Sequence, residues 1–144
     1  MFVRDILNSK PVQGVLTISP EASVSDAVAE LAARGIGALV ASADGRGVAG
    51  ILSERDVVRG IGREGAGILA GPVTDLMTAK VETAACDDTA ESVLGRMTEG
   101  RFRHMPVVEE GALIGLISLG DVVKARLSEV SMEKDALTAM VAGH

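Results

Sequence analysis

The chain has 144 residues, 47% of them apolar and 24% charged, a balance that suits one soluble globular domain, or two half-size units sharing a core, and excludes a disordered chain. Aromatic residues make up only 1% and the net charge is −6, so bases find no stacking platform and phosphate backbones are repelled; nucleic acid is not expected as a partner. Mean hydropathy is +0.32, but uncharged stretches such as Gly35 to Ala43 fall far short of the ~20 residues that span a bilayer, and no membrane association is expected.

The first residues, Met-Phe-Val-Arg-Asp-Ile-Leu, place charge where a secretory signal needs an unbroken apolar run, so a cytoplasmic protein is expected. From there the chain repeats itself. Val3-Arg-Asp-Ile-Leu-Asn-Ser-Lys10 resembles Val73-Thr-Asp-Leu-Met-Thr-Ala-Lys80, an offset of 70. The first copy then carries an extra Pro11-Val-Gln-Gly14, after which Val15-Leu-Thr-Ile-Ser matches Val81-Glu-Thr-Ala-Ala. Further on, Gly50-Ile-Leu-Ser-Glu-Arg-Asp-Val-Val58 meets Gly115-Leu-Ile-Ser-Leu-Gly-Asp-Val-Val123.

Each copy predicts the same run of elements. A short strand surrounds Thr17 or Thr83, and Ser23 or Thr89 stands at an N-cap with apolar residues following at helical spacing. Gly35 and Gly100 suit the helix ends, since glycine enters the left-handed region without a side-chain penalty. Strands follow over Ala38 to Ser42 and Val48 to Leu52, or Met105 to Val108 and Leu113 to Ile117, turned at Asp44-Gly45 and Glu110-Gly111. A second helix starts at Ser53 or Ser118.

The predicted unit is therefore strand, helix, strand, strand, helix, an α/β (α+β) fold whose small sheets must pack against each other. The organisation expected is a lead-in over 1–10, a first unit over 11–69, a linker and second lead-in over 70–79, a second unit over 80–130 and a helical tail over 131–144. Gly62 to Gly71 reads as Gly- and Ala-rich linker. Ser131 to Val141 keeps helical spacing and is expected to fold back or to pack on a partner subunit.

Two Gly-x-Gly-x-x-Gly strings, Gly45 to Gly50 and Gly60 to Gly65, lack the strand-loop-helix order of a dinucleotide fingerprint. Ser53-Glu-Arg-Asp56 and Ser118-Leu-Gly-Asp121 carry a sharper signal, each opening a helix. Either is a capping box, with serine and carboxylate serving the helix N-terminus, or a ligand-binding pair. Catalysis finds little support: His104 and His144 are the only histidines, the single Cys86 reads as a buried reduced thiol, and no cluster has metal-ligand spacing.

The pattern Gly-aliphatic-aliphatic-Ser-x-x-Asp-Val, preceded by Thr and then Ser or Thr at a helix start, resembles the cystathionine-beta-synthase (CBS) motif. The lead-in Val73-Thr-Asp-Leu-Met-Thr78 and the strand Arg103-His-Met-Pro-Val-Val108 resemble that family as well, and the likeness runs from about Val3 to Arg126. It implies a pseudo-twofold module of two motifs with two clefts, taking AMP, ATP, NAD or S-adenosylmethionine as bound ligand with no catalytic cofactor. It further implies a homodimer and a separate effector protein that reads the ligand state.

Carried over by position, the resemblance gives Asp56 and Asp121 to the ribose hydroxyls, Ser53 and Ser118 to ribose or phosphate, and Thr17 and Thr83 to the side of the base. The strand residues Met105 and Pro106 would lie along the adenine. Arg103 and His104, with Arg101 beside them, would hold phosphate in the second copy, His104 as an imidazolium. The bland alternative is that these strand residues simply face solvent. The first copy has Gly37 and Ala38 there and keeps Arg55 where the second has Gly120, so two unequal clefts are expected, the second the stronger. The competing reading is an assembly module with vestigial clefts.

Overall fold

A computed structural model describes residues 1–143; His144, the end of the predicted tail, lies outside the described residues. The helix starts follow the capping residues. Ser23 Oγ accepts the Asp26 N–H (3.0 Å) at the head of α2 (Val24–Arg34), and Thr89 Oγ1 accepts the Ser92 N–H (3.1 Å) at the head of α4 (Ala90–Gly100). Helix α2 ends as expected on Gly35 at φ 61°. Helix α4 has Gly100 as its last residue, but the left-handed cap is Arg101, at φ 55°. Gly100 answers a steric demand instead, since a Cβ there would lie 2.4 Å from the Phe102 ring.

In the first unit, β1 (Thr17–Ile18) runs parallel to β2 (Ala38–Ala41), which pairs antiparallel with β3 (Gly50–Ser53). The second unit pairs β4 (His104–Glu109) antiparallel with β5 (Ala112–Ser118). The strand predicted around Thr83 shrinks to a single parallel bridge between Ala84 and Val107. The Thr83 carbonyl accepts from Arg96 Nη2 (2.8 Å), and Asp88 Oδ2 takes the Ala85 N–H (2.9 Å), bending the chain away. Helices α3 (Glu54–Glu64) and α5 (Leu119–Ala142) follow β3 and β5 directly. The stretch expected to be linker is structured, as the end of α3 and a 3-10 turn over Ala66–Ala70. The tail is no separate element: α5 runs through position 131 without a break, because no Gly or Pro interrupts it from Asp121 to Ala142.

The two cores are completed crosswise. Helix α1 (Val3–Ser9) precedes the first unit yet buries Val3 and Ile6 in the cluster of Val93, Met97 and Ile117 of the second. Val73, which precedes the second unit, is buried with Val24, Leu39 and Leu52 of the first. Hydrogen bonds tie each segment in place, Val3 N–H to Asp88 O (2.9 Å) on one side and Val73 N–H to Ala22 O (2.8 Å) on the other. Each exchanged segment sets a side chain on the glycine that opens the Gly-aliphatic-aliphatic-Ser pattern. A Cβ on Gly115 would lie 2.6 Å from Leu7 Cδ2, and one on Gly50 would lie 2.7 Å from both Met77 Sδ and the Thr78 carbonyl oxygen.

Because Gly50 meets backbone and Gly115 only the end of a leucine, Gly50→Ala is expected to cost about 1–3 kcal/mol, and Gly115→Ala less. Thermal denaturation should show a drop of roughly 4 °C per kcal/mol for a chain this size. Equal losses in the two variants would contradict the assignment.

Candidate functional site

The crosswise packing brings the start of α3 against the start of β4. Between them lies a cleft of about 530 Å³, lined from the first unit by Gly37, Ile51, Ser53, Glu54, Arg55, Asp56 and Arg59 and from the second by Gly100 to His104. Thr78, Lys80, Val81 and Glu82 close it along the connecting segment. Arg103 and His104 therefore do not serve Ser118 and Asp121, as the sequence suggested. The backbone at the head of β4 stays paired with its own α5 cap, His104 opposite Ser118, while Arg103 and His104 line the cleft at the cap of α3.

Both Ser-x-x-Asp motifs are complete capping boxes. Asp56 Oδ2 accepts from the Ser53 N–H (2.9 Å) and the Ser53 hydroxyl (3.0 Å), while Ser53 Oγ accepts the Asp56 N–H (3.3 Å). Asp121 Oδ2 accepts the Ser118 N–H (2.9 Å), and Ser118 Oγ accepts the Asp121 N–H (3.1 Å). The cap uses Oδ2 alone, so Asp56 Oδ1 makes no hydrogen bond among the described residues and is left to accept from a ligand. The Glu54 N–H is spent on the Gly37 carbonyl (2.9 Å). An anion in this cleft would thus be met by side chains more than by the helix N-terminus.

Those side chains are abundant. Arg55, Arg59, Lys80, Arg101 and Arg103 line the cleft, and none of them forms an ion pair among the described residues. Glu54, Asp56 and Glu82 offset part of this charge, leaving a positive cleft on a chain of net charge −6. His104 is held below its ordinary pKa: burial disfavours the cation and outweighs the pull of Glu54 and Asp121. Burial thus opposes the imidazolium form expected at His104.

The remaining expected residues divide. Met105 is buried in the second core, since strand alternation sends His104 to the cleft and Met105 to the opposite face. Pro106 is buried with its carbonyl accepting the Ala84 N–H (2.9 Å), and it does not line the cleft. Thr17 and Thr83 are exposed and stand outside the lining. Ser118 and Asp121 face a second, pseudo-equivalent place, where Lys10 Nζ donates to Asp121 Oδ2 (3.0 Å) and the Leu116 carbonyl (2.8 Å). Burial alone would raise the Asp121 carboxyl, but the Ser118 N–H and Lys10 hold it below the usual carboxylate range.

Arg59, Lys80 and Lys10 were not foreseen. Arg59 lies one helical turn beyond Arg55 and was open to periodicity; Lys80 and Lys10 stand at matching places in the repeated lead-ins. Phe102 also lines the cleft, although too few aromatics are present for a stacking platform to be expected. Among the described residues no group of three or more His, Cys, Asp or Glu could hold a metal, and no helix is long and apolar enough to cross a membrane.

Two small sheets, crosswise lead-ins and matching capping boxes at the heads of α3 and α5 define a tandem-repeat module. The chain belongs to the CBS domain family, whose model matches residues 3–63 and 73–128. It is 32% identical over 148 residues to a mitochondrial CBS domain-containing protein of Arabidopsis thaliana, covering 98% of this chain and 72% of that one. In a larger Arabidopsis relative, 30% identical over 131 residues and matching 89% of this chain, it spans only 24% of the length. Among solved structures it resembles a CBS-domain-containing protein of Agrobacterium tumefaciens (44% identity, TM-score 0.82, 88% of this chain and 99% of that one). It shares its fold with a CBS domain protein of Pyrobaculum aerophilum complexed with AMP (23% identity, TM-score 0.78, 92% and 99% covered).

The depressed His104 pKa has a sign. Above 6.5 the group is neutral in both states; as pH falls, the unfolded chain takes up the proton first, so this contribution to stability is lost on the way down through the folded value. Imidazole NMR should place the His104 midpoint below 6.5, and a bound phosphate should move it upward. A midpoint above 6.5 in the free protein would show that the side chain is not buried as described.

Proposed function

We propose that this chain is a regulatory CBS pair that binds an adenine nucleotide, of the AMP, ATP or NAD type, in the cleft between its motifs and catalyses no reaction. The observation that carries the reading is the set of unpaired cations, Arg55, Arg59, Lys80, Arg101 and Arg103, around a free Asp56 oxygen. The carboxylate accepts from ribose hydroxyls, guanidinium groups grip phosphate, and Ile51 and Val81 give the base an apolar wall. The AMP held by the Pyrobaculum protein of the same fold supports the ligand class.

The cleft draws residues from both motifs. A nucleotide filling it therefore favours one mutual arrangement of the two units, which an effector protein in the cytoplasm reads as ligand state. A homodimer fits the exposed apolar residues Val58 on α3 and Val123 and Leu127 on α5, which a second copy would cover. The complete capping boxes favour one other reading, an assembly module whose caps are only structural.

A thermal-shift panel of AMP, ADP, ATP, NAD and S-adenosylmethionine separates the two. A ligand at ~100 times its dissociation constant adds roughly 2.7 kcal/mol, a rise of several degrees. Asp56→Asn, which keeps a capping side chain, should hold the ligand-free Tm within about 2 °C and abolish the shift. No shift with any ligand would leave the assembly reading. For the dimer, Leu127→Glu with Val123→Glu should yield a monomer in sedimentation equilibrium, and an unchanged dimer would move the contact elsewhere.

A further inference from the structure

The repeat relates the surroundings of the two capping boxes residue by residue, and the relation exposes what differs. Ala38 pairs with Ser53 as His104 pairs with Ser118, and the Glu54 N–H meets the Gly37 carbonyl as the Leu119 N–H meets the Arg103 carbonyl (2.7 Å). Arg101, Arg103 and His104 of the open cleft thus become Gly35, Gly37 and Ala38 in the other, and Arg55 becomes Gly120. The three arginines Arg55, Arg101 and Arg103 are gone from the second place, while Arg59 is matched by Lys124 and Lys80 by Lys10.

The matching lysines also behave differently. Lys80 is exposed on the open cleft and bonds to no carboxylate among the described residues, whereas Lys10 is half-buried and bonds Asp121 and the Leu116 carbonyl together. The extra residues 11–14 account for this. Gln13 Nε2 donates to the Lys10 carbonyl (2.8 Å) and the Leu7 carbonyl (3.2 Å), fixing the end of α1 so that Lys10 reaches inward. No such residues follow Lys80. The ammonium of Lys10 thus stands at the Asp121 carboxylate, bonded through Oδ2, the oxygen that also caps α5.

We propose that Lys10 is a built-in occupant of the second cleft, so that each chain binds one nucleotide, a phosphorylated one, in the cleft of Ser53 and Asp56 alone. This rests on the nucleotide reading above. The pair is partly exposed, with 30% of the Lys10 and 27% of the Asp121 side chain accessible, so it is a displaceable plug more than a structural tie.

Isothermal titration of the full chain with AMP and with ATP tests this. Wild type should take one nucleotide per chain. Lys10→Met should keep the first event within about twofold, which also reports folding, and add a second that is about tenfold weaker or more for want of guanidinium contacts. Lys10→Arg, which keeps a cation, should stay at one. Two comparable sites in wild type overturn the proposal whether or not the variant folds, and so does a single site in folded Lys10→Met. If neither nucleotide binds wild type or Lys10→Met, the nucleotide reading itself falls and the proposal with it.

Discussion

Each motif of this chain closes its core with a segment that precedes the other. Val3 and Ile6 fill the second core and Val73 the first, and each exchanged segment packs closely on a glycine, backbone against Gly50 and the Leu7 side chain against Gly115. Exchange of this kind fixes the two units against each other more firmly than sheet packing alone, because each would have to surrender a buried segment to separate. The cleft is a consequence. Only with the units opposed does the head of β4 arrive beside the cap of α3, setting Arg103 and His104 near Asp56.

The same carboxylate then serves structure and ligand without conflict. One oxygen of Asp56 holds the helix start; the other is left over. This is why capping and binding are poor alternatives for a Ser-x-x-Asp motif: a helix cap holds a carboxylate at a fixed position and orientation, which is also what recognition of a diol requires. Charge follows a similar economy. A chain that is acidic overall gathers Arg55, Arg59, Lys80, Arg101 and Arg103 around one cavity, so an anion is drawn there.

Much of this was legible in the sequence. The duplication, the caps at Ser23, Ser53, Thr89 and Ser118, and the turns at Gly45 and Gly111 are local signals, and local signals survive without coordinates. What failed were relations between distant parts. The pairing of Arg103 with Asp56 depends on the opposed orientation of the units, and the bond from Lys10 to Asp121 joins residues 111 apart. Two differences are local: Gly100 suits a left-handed cap in sequence but serves as room for Phe102, and Met105 belongs to the strand expected along the ligand but alternation sends it to the core. In both, one residue type answers two physical demands, and only packing decides which.

The crosswise cores also set an order on synthesis. The first unit cannot be finished until Val73 has left the ribosome, and α1, made before either unit, has its partners between Ala84 and Ala125. At ~5–20 residues per second that helix waits on the order of 5–20 s with Val3 and Ile6 uncovered. Its short length and its charged Arg4 and Asp5 keep the waiting segment hydrated until α4, β4, β5 and α5 take it in.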